Sequence, residues 1–396
     1  MEFNTDSVIG VVGAGAMGTG IAQVAAAAGH KVVIADAVQG ATQRAQANVA
    51  KAMDREVAKG RMSRDAADTL LSRIEYKWDA LGDDLSVYHD CALVIEAIVE
   101  DLGVKQTLFK GLEGVVSRDT VLATNTSSLS VASIASACSA SERVVGIHFF
   151  NPPPLMPLVE IVPWMGSDPT VAPGAYALMQ RWQKKPVLAS DTPGFIVNRI
   201  ARPFYGEALR ILEERIADAP TIDWAMKSLG AFRMGPFELM DFIGNDVNYA
   251  VTRSVFEAFF YDPRYKPSLT QRRLVESGFL GKKAGRGYYD YREGATVREP
   301  IQDAAVGQAI FDRIMAMLIN EAVDAVLMGV ASPEDIDLAM TKGVNYPKGL
   351  LAWANEIGLS TVLARLDALQ AEYGEDRYRP SPLLRRMVRD GKQFFA

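Results

Sequence analysis

The pattern of apolar and polar positions changes character near residue 190. Before it, short apolar runs read as strands: Val8 to Val12, Lys31 to Ala35, Ile74 to Trp78, Ala92 to Glu96, Val121 to Thr124, Val144 to Phe149, Leu158 to Val162 and Pro186 to Ala189. Helix-period stretches lie between them, at Thr19 to Ala28, Ala41 to Lys59, Arg64 to Arg73, Lys105 to Val116 and Val131 to Ala137. Strands alternating with helices predict a parallel sheet with right-handed crossovers. The two helical stretches from Ala41 to Arg73 exceed the need of one crossover and predict an insertion projecting from the sheet.

From Asp191 onward strands disappear. The run Asp191-Thr192-Pro193-Gly194-Phe195-Ile196-Val197-Asn198-Arg199-Ile200 enters a long helical pattern, in which Pro203 should bend the helix or end its first part. This helical region closes on a glycine-rich basic loop, Gly281 to Gly287, followed by Tyr288-Tyr289. That loop reads as a solvated turn or as a place where Lys282 and Lys283 reach a phosphate. The helical pattern then repeats at an offset of 114 positions, the difference between Glu321 and Glu207. The same offset pairs Ile222-Asp223 with Ile336-Asp337, Ala225-Met226 with Ala339-Met340, Gly235 with Gly349, and Ile243-Gly244 with Ile357-Gly358. The predicted domains are residues 1–190, 191–292 and 300–396. The last is a second, shortened copy of the helical domain, with Arg292 to Asp303 as a polar linker.

The first strand leads into Gly13-Ala14-Gly15-Ala16-Met17-Gly18, and Asp36 ends the second. A strand, this G-x-G-x-x-G turn, a helix and an acidic strand end together form the dinucleotide-binding fingerprint. Gly13, Gly15 and Gly18 let the backbone turn tightly and approach a pyrophosphate resting on the helix N-terminus. Asp36 suits the free hydroxyls of an adenosine ribose and repels a 2′-phosphate, which favours NAD over NADP. The expected fold is therefore an α/β Rossmann-type NAD-binding domain followed by an all-α domain and its partial copy.

Composition narrows the partners. A length of 396 residues suits two or three domains of about 150 each. With 42 basic against 48 acidic residues, the net charge of −6 does not suggest nucleic acid as a partner. No apolar stretch is long enough for a membrane span, and no secretory leader precedes the first strand. Cys91 and Cys138 offer no metal spacing and suit a reduced, cytoplasmic compartment.

Ligands of such sheets bind beyond the carboxyl ends of the strands. Asn125-Thr126-Ser127-Ser128-Leu129 stands at one such end and His148-Phe149-Phe150-Asn151-Pro152 at another. Of the three histidines, His30 precedes the second strand, His89 lies in a polar turn, and His148 alone stands at a strand's carboxyl end. Glu160, in Leu158-Val159-Glu160-Ile161-Val162, is a carboxylate that needs a cationic or imidazole partner if buried.

These residues resemble the NAD-dependent L-3-hydroxyacyl-CoA dehydrogenase family over essentially the whole chain. The resemblance rests on the glycine turn, Asn125 to Ser128, His148 to Pro152, and Asp191-x-x-Gly194-Phe195-x-x-Asn198-Arg199-x-x-x-Pro203. Within the family, the duplicated helical domain with Asn345-Tyr346-Pro347 and Arg377 to Pro382 is similar to bacterial 3-hydroxyadipyl-CoA dehydrogenases of phenylacetate breakdown, which are longer between the copies. The resemblance implies oxidation of the C3 hydroxyl of an acyl-CoA substrate, a 3-hydroxyadipyl or 3-hydroxybutyryl thioester. It makes His148 the general base, a role that suits an imidazole with its ordinary pKa of about 6.5. Glu160 holds the other ring nitrogen, and Ser127 and Asn198 bind substrate oxygens. Glu100, Lys105, Asn151 and Lys283 match NAD contacts, and Lys59 matches a CoA-phosphate contact, while Ala52 stands where some members use a serine. Because Asn198 comes from the helical domain, the site is expected to close only when the two domains meet. Two other readings share the plan. A short-chain β-hydroxyacid dehydrogenase carries a lysine four residues before the asparagine, where this chain has Gly194. A crystallin-like NAD-binding protein lacks turnover, yet Ser127, His148, Glu160 and Asn198 are all present. In single-copy members the helical domain makes the dimer contact. The second copy is therefore expected to pack on the first as an intramolecular pseudo-dimer, with a homodimer as the alternative.

Overall fold

The structure is a computed structural model that describes residues 3–77, 84–296 and 298–395. It divides into two compact units, Met1–Phe195 and Ile196–Ala396.

The first unit is built on one eight-stranded sheet. Its strands are β1 (Val8–Val12), β2 (Val32–Ala35), β3 (Ile74–Lys77), β4 (Cys91–Glu96), β5 (Val121–Thr124), β6 (Val144–Phe149), β7 (Leu158–Val162) and β8 (Lys185–Leu188). The expected extension of β3 to Trp78 lies outside the described residues. The strand order is β3-β2-β1-β4-β5-β6-β7-β8. The chain therefore moves outward from β1 through β3 and then restarts at β4 on the other side of β1, which makes a topological switch point beside the glycine turn. Among the described residues six α-helices connect the strands: α1 (Ala16–Ala27), α2 (Ala41–Ala58), α3 (Arg64–Ser72), α4 (Leu102–Val115), α5 (Val131–Ala135) and α6 (Val171–Arg181). Strand residues such as Ile9, Val11, Ile34, Leu93, Ile95, Val121 and Ile147 are wholly buried, as expected of a sheet covered on both faces.

Two expectations need correction. The sheet is not wholly parallel, because β7 runs antiparallel to β6 with His148 opposite Glu160. The connection from Phe150 to Pro157 holds no helix, and a short connection returns the chain alongside in the opposite direction. The α6 crossover then restores a parallel pair between β7 and β8. Nor does the α2–α3 pair simply project from the sheet. Ala45, Val49 and Met53 of α2 and Ala67 and Leu70 of α3 belong to the same buried core as the strands.

The second unit is all helix. Its first half contains α7 (Val197–Ile200), α8 (Arg202–Glu213), α9 (Ala219–Gly230), α10 (Pro236–Ile243), α11 (Asn245–Ala258) and α12 (Leu269–Glu276). Its second half contains α13 (Ala304–Leu327), α14 (Pro333–Gly343), α15 (Leu350–Ile357), α16 (Leu359–Tyr373) and α17 (Pro382–Asp390). Of the segment between them, Arg292 to Asp303, residue 297 lies outside the description. Pro203 ends α7 and enters the first turn of α8. At the matching place Met317 lets α13 run without a break.

The two halves face each other with reciprocal contacts. Arg199 Nε donates to Glu321 Oε1 at 2.6 Å, and Arg313 Nε donates to Glu207 Oε2 at 3.0 Å. Tyr265 donates its hydroxyl to Glu321, and Tyr378 donates its own to Glu207. Arg313 and Glu321 are the mates of Arg199 and Glu207 at the offset of 114, and Tyr378 follows Tyr265 by 113, one position short of it, so the contacts have the pattern of a two-fold interface.

Candidate active site

The glycine turn is shaped by close approach. Gly13 has φ +101° and a Cβ there would stand 2.5 Å from the Ala97 carbonyl oxygen. A Cβ on Gly18 would stand 1.9 Å from the Gly13 carbonyl oxygen, so neither position accepts a side chain. Gly15 faces open space and caps α1 without a side-chain bond, leaving that N-terminus available to an anion. Asp36 sits at the end of β2 and its carboxylate accepts from Ala14 N at 2.6 Å and Val38 N at 2.7 Å. It lies beside the glycine turn, where an adenosine ribose is read. These residues fit a dinucleotide.

The loop after β5 is held by carboxylates. Glu100 Oε1 accepts from Thr126 Oγ1 at 2.6 Å, Ser127 N at 3.0 Å, Ser128 N at 3.2 Å and Ser128 Oγ at 2.9 Å. Lys105 is buried, with Nζ 2.5 Å from Glu96 Oε1 and 3.2 Å from Glu100 Oε2. Burial would push the Glu100 carboxyl up, but the Lys105 ammonium and the donors from 126 to 128 outweigh it and hold it low. Glu96, wholly buried at the end of β4, also accepts from Thr124 Oγ1 and Ile98 N. This carboxylate–ammonium–carboxylate chain fixes the backbone that carries Ser127. Sequence reading missed Glu96; its signal was an acidic residue ending an otherwise apolar strand.

The next strand end carries the imidazole. The antiparallel register sets His148 and Glu160 directly across from each other, and His148 Nδ1 lies 2.6 Å from Glu160 Oε2. His148 is 5% exposed and Glu160 wholly buried. With Nδ1 donating to the carboxylate, Nε2 is the nitrogen left as acceptor. The rings of Phe150 and Phe195 pack on the imidazole, with centroids 4.6 and 5.9 Å away. Asn125 Oδ1 accepts from Phe149 N at 2.8 Å, joining the two strand ends. The other histidines have different settings: His30 bonds the Ser7 carbonyl inside the unit, and His89 is exposed beside Asp90.

Two further residues frame this region without having been singled out as functional. Asp191 accepts from Ser130 Oγ, Val131 N and Ala132 N at 2.8–2.9 Å, tying the end of the unit to the N-terminus of α5. That accounts for the aspartate of the Asp191-x-x-Gly194-Phe195 motif. Lys184 is buried and donates to the carbonyls of Pro153 and Met156, pinning the loop that begins at Asn151. Asn151 itself is exposed, as is Lys59, which pairs with Glu56 at 3.4 Å.

Asn198 and Lys283 belong to the helical unit. Asn198 lies on α7, half-buried. Lys283 Nζ lies 2.7 Å from Asp246 Oδ1, and partial burial of Asp246 is outweighed by this bond, which lowers its pKa. The glycine loop is less a solvated turn than a folded one. Gly281 and Gly287 press against Asp241, whose carboxylate accepts from Tyr288 N and Tyr289 N.

The fold and the glycine turn define the class of NAD-dependent dehydrogenases. The chain belongs to the 3-hydroxyacyl-CoA dehydrogenase family: the description "3-hydroxyacyl-CoA dehydrogenase, NAD binding domain" matches residues 8–192, and the C-terminal domain of that family matches twice, over 194–291 and 310–393. It is thus an oxidoreductase that uses NAD to oxidise 3-hydroxyacyl-CoA. It is 38% identical to the 3-hydroxyadipyl-CoA dehydrogenase of Escherichia coli K12, over 97% of this chain and 98% of that one. It is 39% identical to the mitochondrial hydroxyacyl-coenzyme A dehydrogenase of Sus scrofa, over 71% of this chain and 90% of that one. Among solved structures, a 3-hydroxybutyryl-CoA dehydrogenase from Escherichia coli K12 superposes with a TM-score of 0.89 and 37% identity, covering 98% of each chain. Among the described residues, no helix is long and apolar enough to cross a membrane.

Proposed function

We propose that His148 is the general base of this dehydrogenase and that its acyl substrate is 3-hydroxyadipyl-CoA. The observation that carries the first part is the buried His148–Glu160 pair across β6 and β7. When bound, NAD supplies the acceptor for the hydride that leaves C3. His148 Nε2 takes the hydroxyl proton as the carbonyl forms, and Glu160 keeps the imidazole in the required tautomer and stabilises the cation it becomes. Glu160 is thus a positioning residue. Ser127 and Asn198 hydrogen-bond the substrate oxygens, and Phe150 and Phe195 shield the imidazole from water.

Gly13, Gly15, Gly18, Asp36, Glu100, Lys105, Asn151 and Lys283 make up the proposed NAD-binding set. Within it Glu100 and Lys105 act at least partly by holding the Thr126–Ser128 backbone. Lys59, exposed near the C-terminus of α2, is the proposed contact for a CoA phosphate. The adipyl assignment, and with it a place in phenylacetate catabolism, is supported by the E. coli relative named for that substrate, which matches through both helical copies. The reciprocal arginine–glutamate pairs support an intramolecular pseudo-dimer, the second copy occupying the face that single-copy members use between subunits. Two free, buried cysteines agree with a cytoplasmic setting.

The test is NADH formation by the purified protein on 3-hydroxyadipyl-CoA and 3-hydroxybutyryl-CoA beside a His148→Gln variant. Turnover that falls about a thousandfold or more in the variant, with NAD binding intact, is the expected result. Near-normal turnover by the variant would overturn the assignment of the base, and preference for the butyryl thioester would overturn that of the substrate.

A further inference from the structure

Buried and half-buried arginines of the helical unit come with carboxylates. Arg199 has Glu321 and Asp324, Arg264 has Asp262 and Asp324, Arg313 has Glu207 and Glu214, and Arg377 approaches Glu207. Arg202 breaks the pattern. It is 6% exposed, its NH1 donates to Thr252 Oγ1 at 3.0 Å, and its guanidinium carbon stands 5.0 Å from the Tyr205 ring centroid. Among the described residues no carboxylate pairs with it, and its buried Nε has no partner at all. Burial pushes its pKa down, and the phenols of Tyr205 and Tyr346 beside it oppose this only in part. The Tyr346 hydroxyl, also buried, is likewise without a hydrogen-bond partner. An unpaired cation beside an unpaired hydroxyl is a costly arrangement for a core and a suitable one for receiving an anion.

Two facts say that the fold does not require this cation. The repeat mate of Arg202, at the offset of 114, is Ala316, which is buried in α13. The mate of Tyr346 is Phe232, which lacks the hydroxyl. The place of Arg202 in the chain is equally informative. It follows Asn198 by four residues, with Ala201 between α7 and α8 still in the helical region of backbone space, so the two fall on the same face. Side chains four apart on such a face stand about 5–6 Å from each other at Cβ. In a 3-hydroxyadipyl group the terminal carboxyl carbon lies three bonds beyond the carbon that bears the hydroxyl. A substrate held at its oxygen by Asn198 thus reaches Arg202 with its far end.

We propose that Arg202, with the Tyr346 hydroxyl, is the recognition site for the terminal carboxylate of a dicarboxylic 3-hydroxyacyl-CoA. This deepens the substrate assignment above and rests on Asn198 as a substrate ligand. Arg202 is a specificity-determining residue: its Nε–H and the Tyr346 O–H donate to the carboxylate oxygens, and a methyl-ended chain of the same length leaves both unpaired. Tyr346 comes from the second helical copy, so that copy contributes to substrate choice as well as to scaffolding.

The test compares 3-hydroxyadipyl-CoA with 3-hydroxyhexanoyl-CoA, which has the same chain length and a methyl end. Wild-type enzyme is expected to favour the dicarboxylic substrate in kcat/KM by about a hundredfold or more. Arg202→Met is expected to abolish or reverse that ratio, Arg202→Lys to retain part of it, and Tyr346→Phe to reduce it several-fold. The melting temperature of Arg202→Met should stay level or rise, because an unpaired buried charge is removed, whereas a structural arginine would lower it. Equal loss on both thioesters, or an unchanged ratio, overturns the proposal. Titration with adipyl-CoA and hexanoyl-CoA, which lack the C3 hydroxyl, reads the same preference without turnover. Discrimination there that vanishes in Arg202→Met, with no oxidation of either substrate, would keep this site and remove the catalytic reading. Absence of discrimination there would remove this site alone.

Discussion

The two helical copies, set side by side, separate what the fold needs from what the chemistry needs. Both copies keep the glutamate that receives an arginine and a tyrosine from the other copy, Glu321 in one and Glu207 in the other. Both keep the aspartate that accepts two backbone N–H groups fourteen and fifteen residues on: Asp223 from Phe237 and Glu238, Asp337 from Leu351 and Ala352. What the second copy lacks is a counterpart of Asn198 and Arg202. Asp312 stands where the first copy has Asn198, Ala316 where it has Arg202, and Met317 where Pro203 breaks the helix. Packing is thus retained in duplicate while chemistry is retained once.

The largest expected effects test the shared part. Glu207→Gln and Glu321→Gln each remove one of the two carboxylates paired with a buried arginine, and each should lower unfolding free energy by about 3 kcal/mol. Urea unfolding of the two variants checks this. If one variant melts like wild type while the other collapses, the copies are not equivalent supports and the comparison breaks. Next comes the part that is not shared. Asn198→Ala is expected to reduce kcat about a hundredfold or more, as loss of a group that binds developing charge does. Asp312→Ala at the matching place should leave kcat within about twofold, since among the described residues Asp312 bonds Arg365 and Gln308, at a half-exposed surface. Comparable losses in both variants would show that the second copy takes part in the chemistry.

Much of this was legible in the sequence, and the exceptions have physical causes. Val121–Thr124, Val144–Phe149 and Leu158–Val162 appear at the expected bounds because strands buried on both faces read as continuous apolar runs. Helix starts were less legible. The fourth helix begins at Leu102 rather than Lys105, because Asp101 caps it by accepting from Val104 N, and a cap sits outside the apolar stripe. The direction of β7 was not legible, since side-chain periodicity is the same in parallel and antiparallel strands. The need of Glu160 for a partner was readable, but the register that gives it His148 belongs to the sheet. Arg202 was invisible for the opposite reason. A basic residue in a helical pattern reads as a solvated side chain, and only burial without a carboxylate marks it as different.

The smallest effect sharpens the comparison within the shared part. Burial pushes the Asp223 carboxyl up to about 7, against the bonds it accepts from Tyr289, Phe237 and Glu238, and burial raises Asp337 in the same direction. In the unfolded chain an aspartate releases its proton near 3.8. Between that value and about 7 the folded state therefore holds a proton that the unfolded state has lost. Stability from this group falls as pH rises through the window, the reverse of a salt-bridged carboxylate. Asparagine does not titrate and is nearly the same size, so Asp223→Asn and Asp337→Asn should each cost about 1 kcal/mol at neutral pH. Each should also flatten the pH dependence relative to wild type. Melting temperatures from pH 4.5 to 7.5 read the difference, and the flattening should be larger for Asp223, which is buried where Asp337 is only half-buried. An unchanged slope in Asp223→Asn would mean that this carboxylate is already ionised at the low end of the range. The three donors around it would then outweigh burial.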